Sequence, residues 1–180
     1  MRKEFVVLVL VTLGLTGMSA GAVEKRRESG VVQGLQATLT AAAPTLKRGG
    51  TISLEVELRN VSSAPLSIYR HISLVLSTPG YVVYHLTRVG GEPVDVMQPI
   101  DDHPAPRAEA YQRLGPGEAV THQLLFGAGE LDWENRAAVP AGQYELTVDV
   151  VVTEEGRAAG VQDAWIGTVR SNPVSLEILD

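Results

Sequence analysis

A strict two-residue alternation of apolar and polar positions dominates the second half of the chain, directly after a turn formed by Pro140, Ala141 and Gly142. From Tyr144 to Val152 the apolar side chains occupy every second position, and most of the residues between them are polar. This period places the apolar set on one face of a β-strand. The pattern therefore predicts a central antiparallel strand with one buried face and one face in contact with water.

The same alternation predicts strands along most of the chain, and no segment has the period of an amphipathic helix. About eight or nine short strands, separated by turns at near-regular spacing, are typical of an all-β antiparallel sandwich. Pro173 precedes the last strand and predicts an edge strand or a crossing between sheets, because proline cannot donate to a ladder. The predicted strands are Val31–Ala41, Thr51–Arg59, Leu66–Tyr69, Ile72–Ser77, Tyr81–Arg88, Glu118–Phe126, Tyr144–Thr153, Trp165–Val169 and Val174–Leu179.

The N-terminal residues do not follow the strand pattern. Residues 1–22 combine Arg2 and Lys3 with a short apolar run and a small-residue sequence ending at Ala22, which is typical of a cleaved signal peptide. The apolar run is too short to span a bilayer, which requires about 20 residues. Residues 23–30 are charged and without periodicity, so we expect a flexible tail there and a single folded domain over residues 31–180.

Residues 98–117 form the longest stretch without any period, and they contain four of the ten prolines. The sequence therefore predicts a long loop in this part of the domain. A connection of this length without secondary structure is uncommon in a compact domain and is often functional.

Composition narrows the function classes. The absence of cysteine excludes disulfides, thiolate metal ligands and a cysteine nucleophile. The net charge of −6 argues against nucleic acid and anionic membrane as partners. Together with the export signal, these features predict a periplasmic or extracellular protein with no membrane insertion after signal cleavage and no cofactor.

Three turn motifs follow one another along the chain: Asn60-x-Ser62 with Pro65, Leu114-Gly115-Pro116-Gly117-Glu118 and Pro140-Ala141-Gly142-x-Tyr144-x-Leu146. They resemble those of immunoglobulin-like domains of exported bacterial proteins, and their order and spacing are similar to the domain of bacterial intracellular proteinase inhibitors. The resemblance implies an immunoglobulin-like β-sandwich with structural roles for Asn60, Pro140 and Gly142. It also implies a tyrosine corner, in which the Tyr144 hydroxyl hydrogen-bonds backbone a few residues upstream. The export signal departs from an intracellular inhibitor.

Candidate binding residues are concentrated in two loops. Asp101, Asp102 and His103 form the only dense cluster of potential ligands, and Arg107 follows in the same loop. Trp133 lies between two acidic residues and is a candidate anchor for a partner protein.

No metal site is predicted, because the four histidines lie in different elements. His122 shares a strand face with apolar residues, which predicts a hydrogen-bonded histidine in the core or at its boundary. Trp165, set among apolar neighbours, is predicted to lie in the core.

Two function classes follow from these features. The first is a non-catalytic exported interaction module that engages an unknown protein partner in the cell envelope, as a proteinase-inhibitor-like or scaffold domain. It would use the 98–117 loop, Trp133 or a sheet edge near Asn172–Leu179. The second is a small metal-dependent or carbohydrate-active enzyme, or a carbohydrate-binding module. The chain lacks the sequence motifs of nucleophilic hydrolases, zinc peptidases and nucleotide-binding enzymes, so the first class is favoured.

Overall fold

The computed structural model of the chain describes residues 30–76, 78–94, 96, 98, 104–127 and 139–180. Within these ranges no helix is long and apolar enough to cross a membrane. In the described part of the chain the one α-helix, α1, is a single turn at Glu155–Ala158. The strands are β1 (Val31–Val32), β2 (Leu35–Ala41), β3 (Thr45–Lys47), β4 (Thr51–Asn60), β5 (Leu66–Tyr69), β6 (Gly80–Arg88), β7 (Pro93–Val94), β8 (Tyr111–Leu114), β9 (Ala119–Gly127), β10 (Gly142–Val152), β11 (Gly167–Arg170) and β12 (Val174–Leu179).

Two sheets enclose one hydrophobic core. The first sheet has the order β1-β2-β4-β9, and the second has the order β3-β12-β10-β6-β7 with β11 also beside β10. Every neighbouring pair is antiparallel except β12 with β3. The buried faces of β4 and β10 supply alternate apolar side chains to the core, as their sequences predict. Tyr84 from the second sheet meets Phe126 from the first with ring centroids 5.2 Å apart.

Most of the predicted strands are confirmed, and the differences are confined to short elements. The predicted strand Ile72–Ser77 is wrong, because its described residues form bends with a bridge between Ser73 and Tyr81. The predicted loop over 98–117 contains the strand β8, which pairs with β5. β3 was also missed. Strands of three or four residues carry too little periodicity to be recognised, and they form here because a partner elsewhere in the chain supplies the hydrogen bonds.

The segment around Pro173 is a β-bulge, and the predicted edge position is confirmed there, because within the described ranges β11 pairs only with β10 and β3 pairs only with Glu177–Leu179 of β12. β11 and β12 run along the same side of β10, with Asp149 opposite Arg170 and Leu146 opposite Val174. Two residues of β10 therefore face the three residues 171–173, which is the definition of a bulge. The bulge accommodates Pro173 at a point where no strand pairs on the outer side among the described residues, so the missing N–H interrupts no ladder.

Two corners predicted from the turn motifs have the expected bonds. The Tyr144 hydroxyl donates to the Pro140 carbonyl at 2.7 Å, and the ring is fully buried. Asn60 is also fully buried, and its Nδ2 donates to the carbonyls of Ala64 and Leu114 at 2.9 and 3.0 Å. Its Oδ1 accepts from the N–H of Ser62 at 2.9 Å. Asn60 thus connects the end of β4 to the start of β5 and the end of β8.

Candidate interaction surface

The structure leaves most of the predicted binding residues untested. Asp101, Asp102, His103 and Trp133 lie outside the described residues. Arg107 is exposed and precedes a 3-10 turn at Ala108–Ala110, which its side chain does not cap. The loop and the tryptophan therefore remain predictions.

The described histidines do not converge on a metal site, since the ranges given above contain no group of three or more His, Asp or Glu side chains that could hold a metal ion. His122 is 9 % exposed and lies on the inner face of β9, as predicted. The prediction that it would be hydrogen-bonded is wrong for Nε2, which is buried without a partner among the described residues. Burial lowers the pKa of His122, and the neighbouring His71 lowers it further. The neutral imidazole is therefore favoured.

A charged cluster lies on the outer face of the second sheet. Arg170 donates two hydrogen bonds to Asp149, from Nε at 2.6 Å and from Nη2 at 2.7 Å. The Nε2 atom of His85 lies 2.8 Å from the same carboxylate. Burial raises the pKa of Asp149, but the hydrogen bonds from Arg170 and His85 outweigh that effect and hold the pKa below its ordinary value. The three groups satisfy one another and connect β6, β10 and β11.

The outermost strands of the two sheets differ in how they are protected. An edge strand presents unpaired N–H and C=O groups, and proteins usually shorten it, charge it or interrupt it with proline. In the second sheet, β3 has three residues and ends in Lys47, and β7 has two residues and begins with Pro93. These two end strands are thus short, and each carries a lysine or a proline. Beyond β7, the edge of β6 is bonded by Ser73 and by the side chain of Gln98.

One edge of the first sheet is closed by a side chain. β1 covers only Leu35 and Gln36 of β2, so the backbone of Leu39 lies beyond it. The carboxamide of Asn172 takes its place, because Oδ1 accepts from the Leu39 N–H at 2.9 Å and Nδ2 donates to the Leu39 carbonyl at 3.1 Å. The amide of Asn172 thus pairs with Leu39 as the backbone of a neighbouring strand would, and Asn172 itself lies in the bulge before Pro173.

The opposite edge of the first sheet, strand β9, has no such protection. It has nine residues, Ala119–Gly127, with no proline and no lysine, arginine, aspartate or glutamate. The Asn60 N–H bonds the Glu118 carbonyl at 2.9 Å, which sets the alternation of the ladder. Even-numbered residues of β9 bond β4, and the odd-numbered residues direct their N–H and C=O groups away from it. We call this row of outward groups, from Ala119 to Gly127, the β9 edge.

The β9 edge is held in place at both ends. At its start, the Gly117 N–H bonds the Asn60 carbonyl at 2.8 Å, and the Glu118 side chain accepts from the Gly115 N–H at 2.7 Å. Towards its end, the Tyr84 hydroxyl donates to the Leu125 carbonyl at 3.3 Å. It is the one hydrogen bond between described residues that reaches an outward group of the β9 edge. A carbonyl oxygen has two lone pairs, so Leu125 can still accept a second bond.

Sequence reasoning missed both features of the first sheet. The predicted pairing of a partner strand near Asn172–Leu179 stays a prediction, and β3 already occupies Glu177–Leu179 of that edge. A signal for β9 was present, because Glu118–Phe126 alternates cleanly and carries no charge after its first residue. What the sequence could not show is that β9 lies at the outside of its sheet.

Comparisons with known proteins concern the fold. No known family profile matches the chain, and no curated protein matches it in sequence. The CARDB domain of a Pyrococcus furiosus protein is similar at 10% identity, with 81% of this chain and 92% of that chain covered and a TM-score of 0.36. The C-terminal domain of wzt is similar at 10% identity, with 86% and 80% covered and a TM-score of 0.43. A Pseudomonas fluorescens alkylpurine DNA glycosylase matches over 31% of its own chain, at 14% identity, 82% coverage of this chain and a TM-score of 0.39.

The two packed antiparallel sheets, together with the buried tyrosine corner, define an all-β immunoglobulin-like sandwich. The predicted fold class is thereby confirmed. The more particular resemblance to proteinase inhibitors has no counterpart among these structures.

Proposed function

We propose that the chain is an exported, non-catalytic interaction module that binds an extended polypeptide segment by strand addition to the β9 edge. The observation that carries the proposal is the uncharged nine-residue strand at the outside of its sheet. In strand addition, backbone hydrogen bonds supply affinity and alternate side chains supply specificity.

The contrast with the other edges supports a binding role for β9. The end strands β3 and β7 are short and carry a lysine or a proline, and Asn172 caps the backbone of Leu39 on β2, so this fold protects parts of other edges. A long, flat and uncharged edge promotes uncontrolled pairing unless a defined segment occupies it. Leu125 is 60 % exposed on the outer face of the same strand, which adds apolar area for an incoming segment.

The proposed export is based on residues 1–22, which resemble a signal peptide. An exported protein would meet its partner in the cell envelope. A more specific form of this proposed function is a proteinase-inhibitor-like or scaffold role, in which the 98–117 loop or Trp133 makes a second contact with the partner. Fractionation of expressing cells tests export, with N-terminal sequencing expected to give Val23 as the first residue.

The alternative, a small metal-dependent or carbohydrate-active enzyme or a carbohydrate-binding module, has no cluster in its favour among the described residues. The closest approach to a catalytic pair is His85 with Asp149. The Asp149 carboxylate is 14 % exposed and is already bonded by Arg170. We therefore propose no catalytic residue.

Site-specific photo-crosslinking tests the β9 edge. The full chain is expressed with a photoreactive amino acid at Thr121, which is exposed on β9, or at Thr40, which is exposed on β2 of the same sheet. We expect adducts from position 121 and none from position 40, since only the first lies at the open edge. Equal labelling at both positions, or no adduct at 121 in correctly folded protein, would contradict the proposal.

A further inference from the structure

We propose that the segment pairing with β9 is β9 of a second copy, so that the protein forms a two-fold symmetric dimer. This inference rests on the proposed use of the β9 edge and names its occupant. The first sheet contributes four strands from each copy, which would give one continuous eight-stranded sheet. Sheets of up to about 10 strands occur without splitting.

The alternation of the ladder allows this pairing with a two-fold axis at Gln123. Antiparallel strands exchange both bonds only between residues whose backbone groups point at each other. With Gln123 opposite its copy, Thr121 falls opposite Leu125 and Ala119 opposite Gly127. All of these positions are odd-numbered and outward-facing. The pairing closes the edge over its full length with about ten new backbone hydrogen bonds.

Charge favours a second copy over a foreign segment. Like charges directly opposite each other destabilise a strand pair, and β9 has none to oppose. A foreign partner selected by the net charge of −6 would be basic, yet the strand itself carries no carboxylate to meet it. Repulsion between the two negative copies acts over longer distances and is screened at physiological ionic strength. We therefore expect the dimer to strengthen as salt is raised from low concentration.

The outer side chains of β9 are also self-complementary. Glu55 on β4 accepts a hydrogen bond from Gln123 Nε2 at 2.7 Å, which orients the amide. The second N–H and the carbonyl oxygen of that amide are then available to the opposite Gln123. On either side of the axis, the exposed Leu125 would lie against the methyl group of Thr121. The polar pair sits at the centre and the apolar contacts lie on both flanks.

Charge exchange at position 123 tests the dimer. Sedimentation equilibrium of the full chain would be measured for the wild type, for Gln123→Lys, for Gln123→Glu and for an equal mixture of the two variants. Thr40→Lys, an exposed position on β2, is the matched control. We expect a dimer for the wild type and the control, at least about fivefold weaker dimerisation for each single variant, and recovery in the mixture. Unchanged circular dichroism and urea midpoints establish that the variants are folded.

The outcomes separate this inference from the proposed function. A wild type that stays monomeric at all concentrations, or variants that dimerise like the wild type, would overturn the dimer. A crosslink from position 121 to a different protein would also overturn it while supporting the β9 edge. A crosslinked product from position 121 with twice the mass of the chain, which disappears in the Gln123→Lys variant, supports both the dimer and the β9 edge. The absence of any crosslink at 121 overturns the proposed function itself.

Discussion

Replacement of Asn172 by alanine should measure how much the closed edge of β2 stabilises the fold. The carboxamide makes two hydrogen bonds to the backbone of Leu39, at 2.9 and 3.1 Å, across the gap between the two sheets. Leu39 is 2 % exposed, so its N–H and C=O groups have limited access to water. Alanine at position 172 would leave both groups without a partner.

The expected cost follows from those two bonds. Leaving a buried donor or acceptor unpaired costs about 1–3 kcal/mol, and access of water past the half-buried position 172 reduces that penalty. We expect the free energy of unfolding to fall by about 2–4 kcal/mol. For a chain of this size that corresponds to a decrease in Tm of roughly 5–15 °C. A typical domain has about 5–15 kcal/mol of stability, so the variant should still fold.

Urea denaturation followed by circular dichroism is the assay, with two further variants. Asn172→Asp is nearly isosteric and keeps an acceptor for the Leu39 N–H, but it places an acceptor against the Leu39 carbonyl. It should therefore be destabilised as well, which separates hydrogen bonding from packing. Gln143→Ala, at an exposed position of β10, should change stability by less than about 0.5 kcal/mol. An Asn172→Ala midpoint equal to that of the wild type, with an equal slope, would refute the edge-closing role.

The remaining predictions concern single buried groups. Tyr144→Phe removes the hydrogen bond to Pro140 and should lower the free energy of unfolding, measured by urea denaturation, by about 1 kcal/mol or somewhat more. An unchanged urea midpoint would show that this bond does not stabilise the fold. Tyr111→Phe should cause no loss of stability, because its hydroxyl is buried without a partner in the described structure; a loss above about 1 kcal/mol would reveal one. The free energy of unfolding should decrease as the pH falls from 6.5 through the lowered pKa of folded His122, since the unfolded chain binds more protons in that window. His122→Gln should flatten this part of the profile, and a profile that stays as steep would assign the slope to another group.

The Tyr111 hydroxyl is buried and lies close to a negative charge. Burial raises the pKa of Tyr111 to about 12, and the negative charge of Glu155 adds to the effect. The same ring lies against Gly156 of α1, where an added Cβ would come within 2.7 Å of it. Glycine at 156 therefore permits the helical turn to pack directly on the ring. The tyrosine is held by packing, and its hydroxyl contributes no bond within the described residues.

Local chemistry explains what was predicted about the fold. The long strands β4, β9 and β10 alternate over nine or more residues, so their buried faces follow from the sequence alone. Tyr144 and Asn60 could also be assigned structural roles, because turn geometry is encoded within a few residues of each. The short strands β3 and β8 could not be predicted, since three or four residues do not establish a period.

The sequence by itself determined the secondary structure of the long strands, the two corners and the class of fold, because each depends on neighbouring residues and on a period of two. Only the tertiary structure decided which strands lie at the outside of a sheet. Edge position depends on which distant segments pair, and neither β9 nor Asn172 carries a local mark of it. The closing of β2 by Asn172 requires residues 133 positions apart to meet. The unpaired edge of β9 likewise depends on the tertiary structure, because β9 is the last strand in the order of the first sheet.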